Sequence, residues 1–435
     1  MRARRTGLLM RLAAGAIAVV GIACSEPAEE SPGENTPSVY RHAMDGTPRS
    51  LDPAQAANVY AKALVVNLYD TLYRYKYLAR PYELTPNLAE GMPEISADGL
   101  IYTIRLRKDA RFIDDPAFAG GIGRQVTADD FVYSIKRHFD PSTRSRGAWL
   151  WQDRIVGLDE WKRDGADYGQ PVSGLKAIDE HTVQIQLIAP FPQLTHSLAQ
   201  GFAAVVPREA VEHYGAEFPI RPVGSGPYRL ERFDSSGAEL ARNPSWRSQP
   251  FDAAAEGARD ARYDSLNGKE PPFMDRIEVS FISEDAARWN TLIAGETDFV
   301  KVPVSQFDSV LESRSPPRLD PGLADRFELA ANLESGFVHT DFNLSDPAIG
   351  YHPDPDQDAR NRALRCAITK AYDWNRRNEV FYYGIGRVFP GILPPVVPEF
   401  DPDAPGNAPV RDVDGARRLL RDAGWNAGNL PVLEY

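Results

Sequence analysis

Three short patterns in this 435-residue chain have residue types and spacings that could do chemistry. Asp354, Asp356 and Asp358 stand at positions one, three and five of a calcium loop, where carboxylates would wrap an oxygen-coordinated cation. Position six is Ala359, where glycine is needed for the sharp turn, and position twelve is Arg365, where a bidentate Glu belongs. The pattern therefore predicts a solvated acidic loop. Gly224-Ser225-Gly226 has the small residues of a nucleophile turn, but Val223 and Pro227 stand in place of its outer glycines. Gly384 and Gly386 begin a dinucleotide fingerprint that Phe389 breaks. The seven histidines, His138, His181, His213 and His339 among them, show no ligand-like pairing. No catalytic residue, metal site or cofactor is expected, although residues joined only by the fold escape such a search.

The two cysteines carry different expectations. Residues 1–23 have a basic start, a short apolar run and small residues before Cys24, the layout of a secretory signal peptide. Gly21-Ile22-Ala23-Cys24 resembles a bacterial lipobox, with Gly21 where Leu is usual, so Cys24 is expected to bear lipid; a plain signal peptide is the alternative. Residues 24–36, rich in Pro, Glu and Ser, cannot bury anything and predict a flexible tether. With Cys24 lipidated, Cys366 has no disulfide partner; its helical surroundings, Leu364, Ala367 and Ile368, predict a buried small apolar residue. The formal charge is −12, and residues 1–23 hold four Arg and no acid, so the rest is more acidic still. Such a surface repels nucleic acid.

The length calls for two or three domains. Residues 84–141 read most clearly. In residues 101–107, Tyr102, Ile104 and Leu106 alternate with Thr103, Arg105 and Arg107, as a half-buried strand requires. Thr127 and Asp130 form an acidic capping box, Val126 and Phe131 a hydrophobic staple, and Phe131, Ile135 and Phe139 a packing face. Residues 176–187 predict a hairpin strand from Val183, Ile185 and Leu187. A helix is expected over 61–73, a polar insertion or mobile loop over 248–270, and a strong helix over 358–374. The apolar, strand-like end at 430–435 is read as a truncation.

The wording of residues 86–134, P-N-L-A-E, S-x-D-G-x-x-Y-T-x-x-L-R, then V-T-A-x-D-F-V-Y-S, resembles family 5 of the bacterial extracellular solute-binding proteins. These include the oligopeptide- and dipeptide-binding proteins of ABC importers. Ser50-Leu51-Asp52-Pro53, Pro222-Val223-Gly224-Ser225-Gly226-Pro227-Tyr228, Arg242-Asn243-Pro244-Ser245-Trp246, Gly295-Glu296-Thr297-Asp298, Phe342-Asn343 and the helix around Leu419-Leu420 resemble further family motifs in collinear order. Residues 114–123 depart from the family's D-G-x-P by a longer, Gly-rich stretch, expected to lengthen an exposed loop.

The resemblance implies an α/β, type II periplasmic-binding-protein-like fold of two lobes with an extra α+β domain. Residues 37–61 and 188–299 would form lobe I, 62–187 the extra domain and 300–435 an incomplete lobe II. It implies a non-enzymatic lipoprotein, periplasmic or at the cell surface, that captures peptides as an added β-strand for ABC permease subunits. It would be monomeric and held to the membrane through Cys24. Ala57, Asn58 and Val59 align with the segment that pairs with peptide backbone; Trp149 and Asn343 are further candidate ligand residues. Ser225 and Tyr228 are assigned to the loop fold, and the ammonium-binding acid of peptide binders is expected beyond Tyr435. Alternatives are a receptor for a metal chelate, haem or a sugar, an exported hydrolase, and a structural envelope lipoprotein.

Overall fold

The computed structural model describes Arg2–Ala3 and residues 37–332, 336–389, 391–397, 399–403 and 410–433. Cys24, the expected tether and all of the expected signal peptide except Arg2–Ala3 lie outside the described residues. The chain divides into two compact units, residues 8–300, and residues 301–435 with Met1–Gly7.

The larger unit opens with β1 (Val39–Met44) and α1 (Val59–Leu68). A small hairpin follows, β2 (Tyr73–Tyr75) with β3 (Leu84–Pro86). Next come β4 (Glu94–Ile95), β5 (Ile101–Arg105), α2 (Ala128–Arg137), α3 (Leu158–Arg163), β6 (Leu175–Asp179) and β7 (Thr182–Gln186). These strands make one antiparallel sheet in the order β4-β5-β7-β6. Its alternation is real: Tyr102, Ile104, Leu106, Val183, Ile185 and Leu187 are all buried. They join one continuous core with Phe131, Ile135 and Phe139 of the α2 segment.

Helix α2 starts where its sequence says it should, because the Asp130 carboxylate accepts the Thr127 N–H at 2.8 Å. Arg124 adds what the local pattern did not reveal: it grips Asp130 with two hydrogen bonds and Glu209 with two more. Two acidic partners raise its already high pKa further against the opposing effect of desolvation.

The chain then forms α4 (Arg208–Tyr214), β8 (Tyr228–Phe233), β9 (Gly237–Arg242), β10 (Arg276–Phe281) and α5 (Asp285–Ala294). A second sheet runs β1-β10-β9-β8, with β1 and β10 parallel and the rest antiparallel. Gly295 ends α5 in the left-handed conformation, at φ 75°. Asp298 then ties the returning chain to β1, accepting the Arg41 N–H at 2.8 Å while its own N–H donates to the Arg41 carbonyl. The Gly295-Glu296-Thr297-Asp298 motif is thus a helix stop followed by a strand clamp.

Two expectations in this unit are corrected. Helix α1 starts at Val59 and ends at Leu68, because Asn58 caps it and Leu72 belongs to the buried approach to β2. Residues 248–270 are an ordered wrap: Glu256 takes two hydrogen bonds from Arg74, and Phe251 and Ala253 are buried. The Gly-rich stretch 114–123 is a largely exposed loop, as expected, with Phe118 turned inward against Phe112 at a ring-centroid distance of 5.9 Å.

The smaller unit has a short hairpin, β11 (Leu311–Arg314) with β12 (Pro317–Leu319), and a two-residue ladder between Arg2–Ala3 and Phe327–Glu328. Helices α6 (Pro355–Ala371), α7 (Trp374–Tyr382) and α8 (Val413–Asp422) follow. Its buried cluster is Ile349, Leu364 and Trp425. Asp354 is the N-cap of α6 and accepts the Asp356 and Gln357 N–H groups, so the acidic triplet is a helix start and not a loop. Cys366 is exposed, correcting its expected burial. The helical period sends Leu364 and Ala367 inward and leaves residue 366 outside. Leu430–Leu433 forms no strand.

Candidate functional site

The residues around Ala57 are fixed by a buried ion pair that links two distant parts of the sequence. Asp52 takes hydrogen bonds from both terminal nitrogens of Arg137, at 3.0 and 2.7 Å, with both side chains almost fully withdrawn from water. The same carboxylate accepts the Ala54 N–H, and the Asp52 carbonyl accepts those of Gln55 and Ala56. The Asp of the Ser50-Leu51-Asp52-Pro53 motif therefore both folds its own turn and docks it on the end of α2.

From that anchor the chain emerges to the surface. Ala57, Asn58 and Val59 are exposed. Asn58 is extended, with φ −86° and ψ 161°, and its Oδ1 accepts the Ala61 N–H at 2.7 Å, so its side chain caps α1. Val59 is the first residue of that helix and not part of the loop. Among the described residues, the Asn58 N–H and the Ala57 carbonyl have no hydrogen-bond partner. An exposed N–H and carbonyl flanking an extended residue are what an incoming strand can pair with.

The Trp149 loop is tied to this segment. Arg146 N–H donates to the Ala54 carbonyl at 2.9 Å, and Gln55 Nε2 donates to the Thr143 carbonyl at 2.9 Å. Trp149 itself is 59% exposed in a short helical turn, whereas Trp151, two residues on, is wholly buried. The core role therefore belongs to Trp151, and Trp149 offers an uncovered aromatic face. Asn343 lies in the smaller unit, where its Oδ1 accepts the Ser345 N–H. Thus Ala57, Asn58 and Trp149 share one pair of loops, Val59 opens the helix that follows the first of them, and Asn343 is held separately by a local turn.

Several family-like motifs prove to be scaffold. Ser225 Oγ donates to Asp70 at 3.0 Å, Arg247 pairs with Asp70 at 2.6 Å, and Asn87 bonds both Asp70 and Arg247. These residues come from four separate segments and meet around one buried carboxylate. Gly224 and Gly226 pass so close to Leu68 that a Cβ at either would meet backbone atoms within 2.5 Å. Tyr228 donates its hydroxyl to the Met274 carbonyl. Sequence reasoning assigned Ser225 and Tyr228 to the loop but missed Asp70, Arg137 and Arg247, whose partners lie far away along the chain.

An open concavity of about 610 Å³ lies elsewhere, between α2 and α4, lined by Arg124, Tyr133, Lys136, Tyr168 and Arg208 among others. Its cations are engaged: Arg124 with Asp130 and Glu209, Arg208 with Glu212, and Lys136 with the Tyr168 and Gln170 carbonyls. We place the candidate site at the loops. Among the described residues no cluster of three or more His, Cys, Asp or Glu could hold a metal, and no helix is long and apolar enough to cross a membrane.

The sequence profile described as "Bacterial extracellular solute-binding proteins, family 5 Middle" matches residues 83–434. The chain is 25% identical over 393 residues to the probable ABC transporter periplasmic-binding protein SapA of Escherichia coli strain K12, covering 89% of this chain and 62% of that protein. It is 31% identical over 230 residues to the periplasmic oligopeptide-binding protein OppA of the same strain, covering 52% of this chain and 38% of that protein. The chain thus spans less than two thirds of either relative. A structure of the periplasmic binding protein DppA from Helicobacter pylori, in complex with the peptide STSA, superposes with a TM-score of 0.61 at 20% identity, covering 89% of this chain and 66% of that one. The fold is α/β, of the type II periplasmic-binding-protein kind. With the profile matched along most of its length, the chain belongs to family 5 of the bacterial extracellular solute-binding proteins.

Proposed function

We propose that the chain is the substrate-binding component of a peptide ABC importer, a non-enzymatic receptor that captures oligopeptides or dipeptides and delivers them to permease subunits. The observation that carries this reading is the exposed Ala57-Asn58 segment, extended at Asn58, whose Ala57 carbonyl and Asn58 N–H have no hydrogen-bond partner among the described residues, tied to the loop of the exposed Trp149. Main-chain pairing binds a peptide whatever its side chains, and an aromatic face adds affinity without selecting a sequence. Relatives named as oligopeptide-binding and periplasmic support the same reading. Residues 37–61 with 188–299, 62–187 and 300–435 are the proposed lobe I, extra domain and lobe II, and Asn343 is a proposed contact from lobe II. The receptor acts as a monomer, in the periplasm or at the cell surface, anchored through lipid on Cys24. Palmitate labelling of the wild type against Cys24→Ala decides that anchor.

A thermal melt tests the peptide reading. Pooled di- to pentapeptides at a hundred times their dissociation constant should add about 2.7 kcal/mol and raise the midpoint by several degrees. A cooperative melt whose midpoint ignores the pool would rule against peptides and leave other solutes to be tried.

A further inference from the structure

Two adjacent buried residues at the end of α2 each hold one of the two loops. Arg137 grips Asp52, whose carbonyl and carboxylate fold the turn leading to Ala57 and Asn58. His138 reaches the other loop: its Nδ1 lies 2.6 Å from Ser145 Oγ and its Nε2 2.7 Å from the Phe202 carbonyl. A carbonyl can only accept, so Nε2 carries the proton and Nδ1 accepts the Ser145 hydroxyl. Ser145 Oγ in turn accepts the Gly147 N–H at 3.0 Å, closing the bend that presents Trp149. The fit is tight, since a Cβ on Gly147 would meet the Phe202 ring at 2.5 Å and His138 Cε1 at 2.9 Å. The loops are then joined to each other through Arg146–Ala54 and Gln55–Thr143.

We infer that Arg137 and His138 are positioning residues for ligand capture, one fixing the backbone-pairing segment and the other the Trp149 loop, with neither touching the ligand. The inference rests on the peptide reading above. Both loops are exposed at their working ends, so without this anchor each must be ordered by the ligand, at a cost in affinity.

The test measures affinity for a fixed pool of di- to pentapeptides in the full chain, alongside thermal stability. Ser145→Ala keeps the His138–Phe202 bond and removes only the tie to the Trp149 loop. It is expected to weaken binding about tenfold. Ser145→Thr, which retains the hydroxyl, should stay close to wild type. Asp52→Asn should weaken binding to a similar degree through the other loop. Ile185→Ala, in the core of the β4-β5-β7-β6 sheet, should lower the melting midpoint without changing affinity, which separates positioning from stability. Wild-type affinity in Ser145→Ala would overturn the inference, even if Asp52→Asn fails to fold. Binding lost equally in Ile185→Ala would overturn it too, as a mere stability effect. No binding by the wild type would instead overturn the peptide reading, and this inference with it.

Discussion

Truncating Asp52 to Ala is expected to destabilise the larger unit by about 3–5 kcal/mol, and Arg137→Ala by a similar amount. The size follows from what each change leaves behind. Removing the carboxylate strands a guanidinium in a site that offers almost no water, with the Phe218 ring 5.3 Å away too weak a partner to replace it. Removing the guanidinium strands the carboxylate, although the Ala54 N–H still bonds it. Replacing both by Ala removes the two buried charges together, so the double change should cost less than the sum of the single ones. Urea unfolding followed by tryptophan fluorescence, run as a double-mutant cycle, reads the coupling. Single changes each costing less than about 1 kcal/mol would show that the pair is not the anchor described here.

Acid should weaken the same region through His138. Burial, helped by the neighbouring Arg137 charge and opposed by the Phe202 hydrogen bond and by Asp52, lowers its pKa from 6.5 to about 4. Lys62 is a further nearby cation, its Nζ 5.2 Å from the Phe202 ring centroid. Above pH 6.5 the ring is neutral in both states and its full contribution is present. Between 6.5 and 4 the unfolded chain binds a proton that the folded chain refuses, so stability falls as pH falls. Below 4 both states are protonated and the loss levels off at about 3 kcal/mol. His138→Gln removes the titration. The difference in unfolding free energy between wild type and His138→Gln, measured from pH 7 to pH 4, should therefore shrink by about that amount. A pH-independent difference would contradict the assignment of His138 as a buried neutral ring.

Local structure was legible wherever it depended on neighbours in sequence. The alternation around Ile104 and the Thr127–Asp130 capping box each have their cause within a few residues, and each forms as read. The acidic triplet was read as a loop, but Pro355 after Asp354 is a helix-start signal that the loop reading passed over. Cys366 shows the limit of composition: apolar neighbours announce a helix, but one residue of rotation decides which side faces water. The anchors of the candidate site were beyond local reading. Asp52 is 85 residues from Arg137, and Asp70 is 177 residues from Arg247, so neither pairing leaves any periodic trace. What the motifs did carry was order. Asn87, Ser225 and Asn243 were noticed as parts of family words, and the fold gives them one purpose, holding Asp70, Arg247 and the Gly226 carbonyl in place.

Pairing of an extended peptide with the Ala57-Asn58 backbone should be visible in the amide hydrogen exchange of Asn58. In the free chain this N–H is exposed and unpaired among the described residues, so it should exchange fast. With the pool of di- to pentapeptides bound, it should slow markedly while the amides of the edge strand β6 stay unchanged. Binding of the pool with Asn58 still exchanging at its free rate would contradict the account, because the peptide would then be held somewhere other than on this segment.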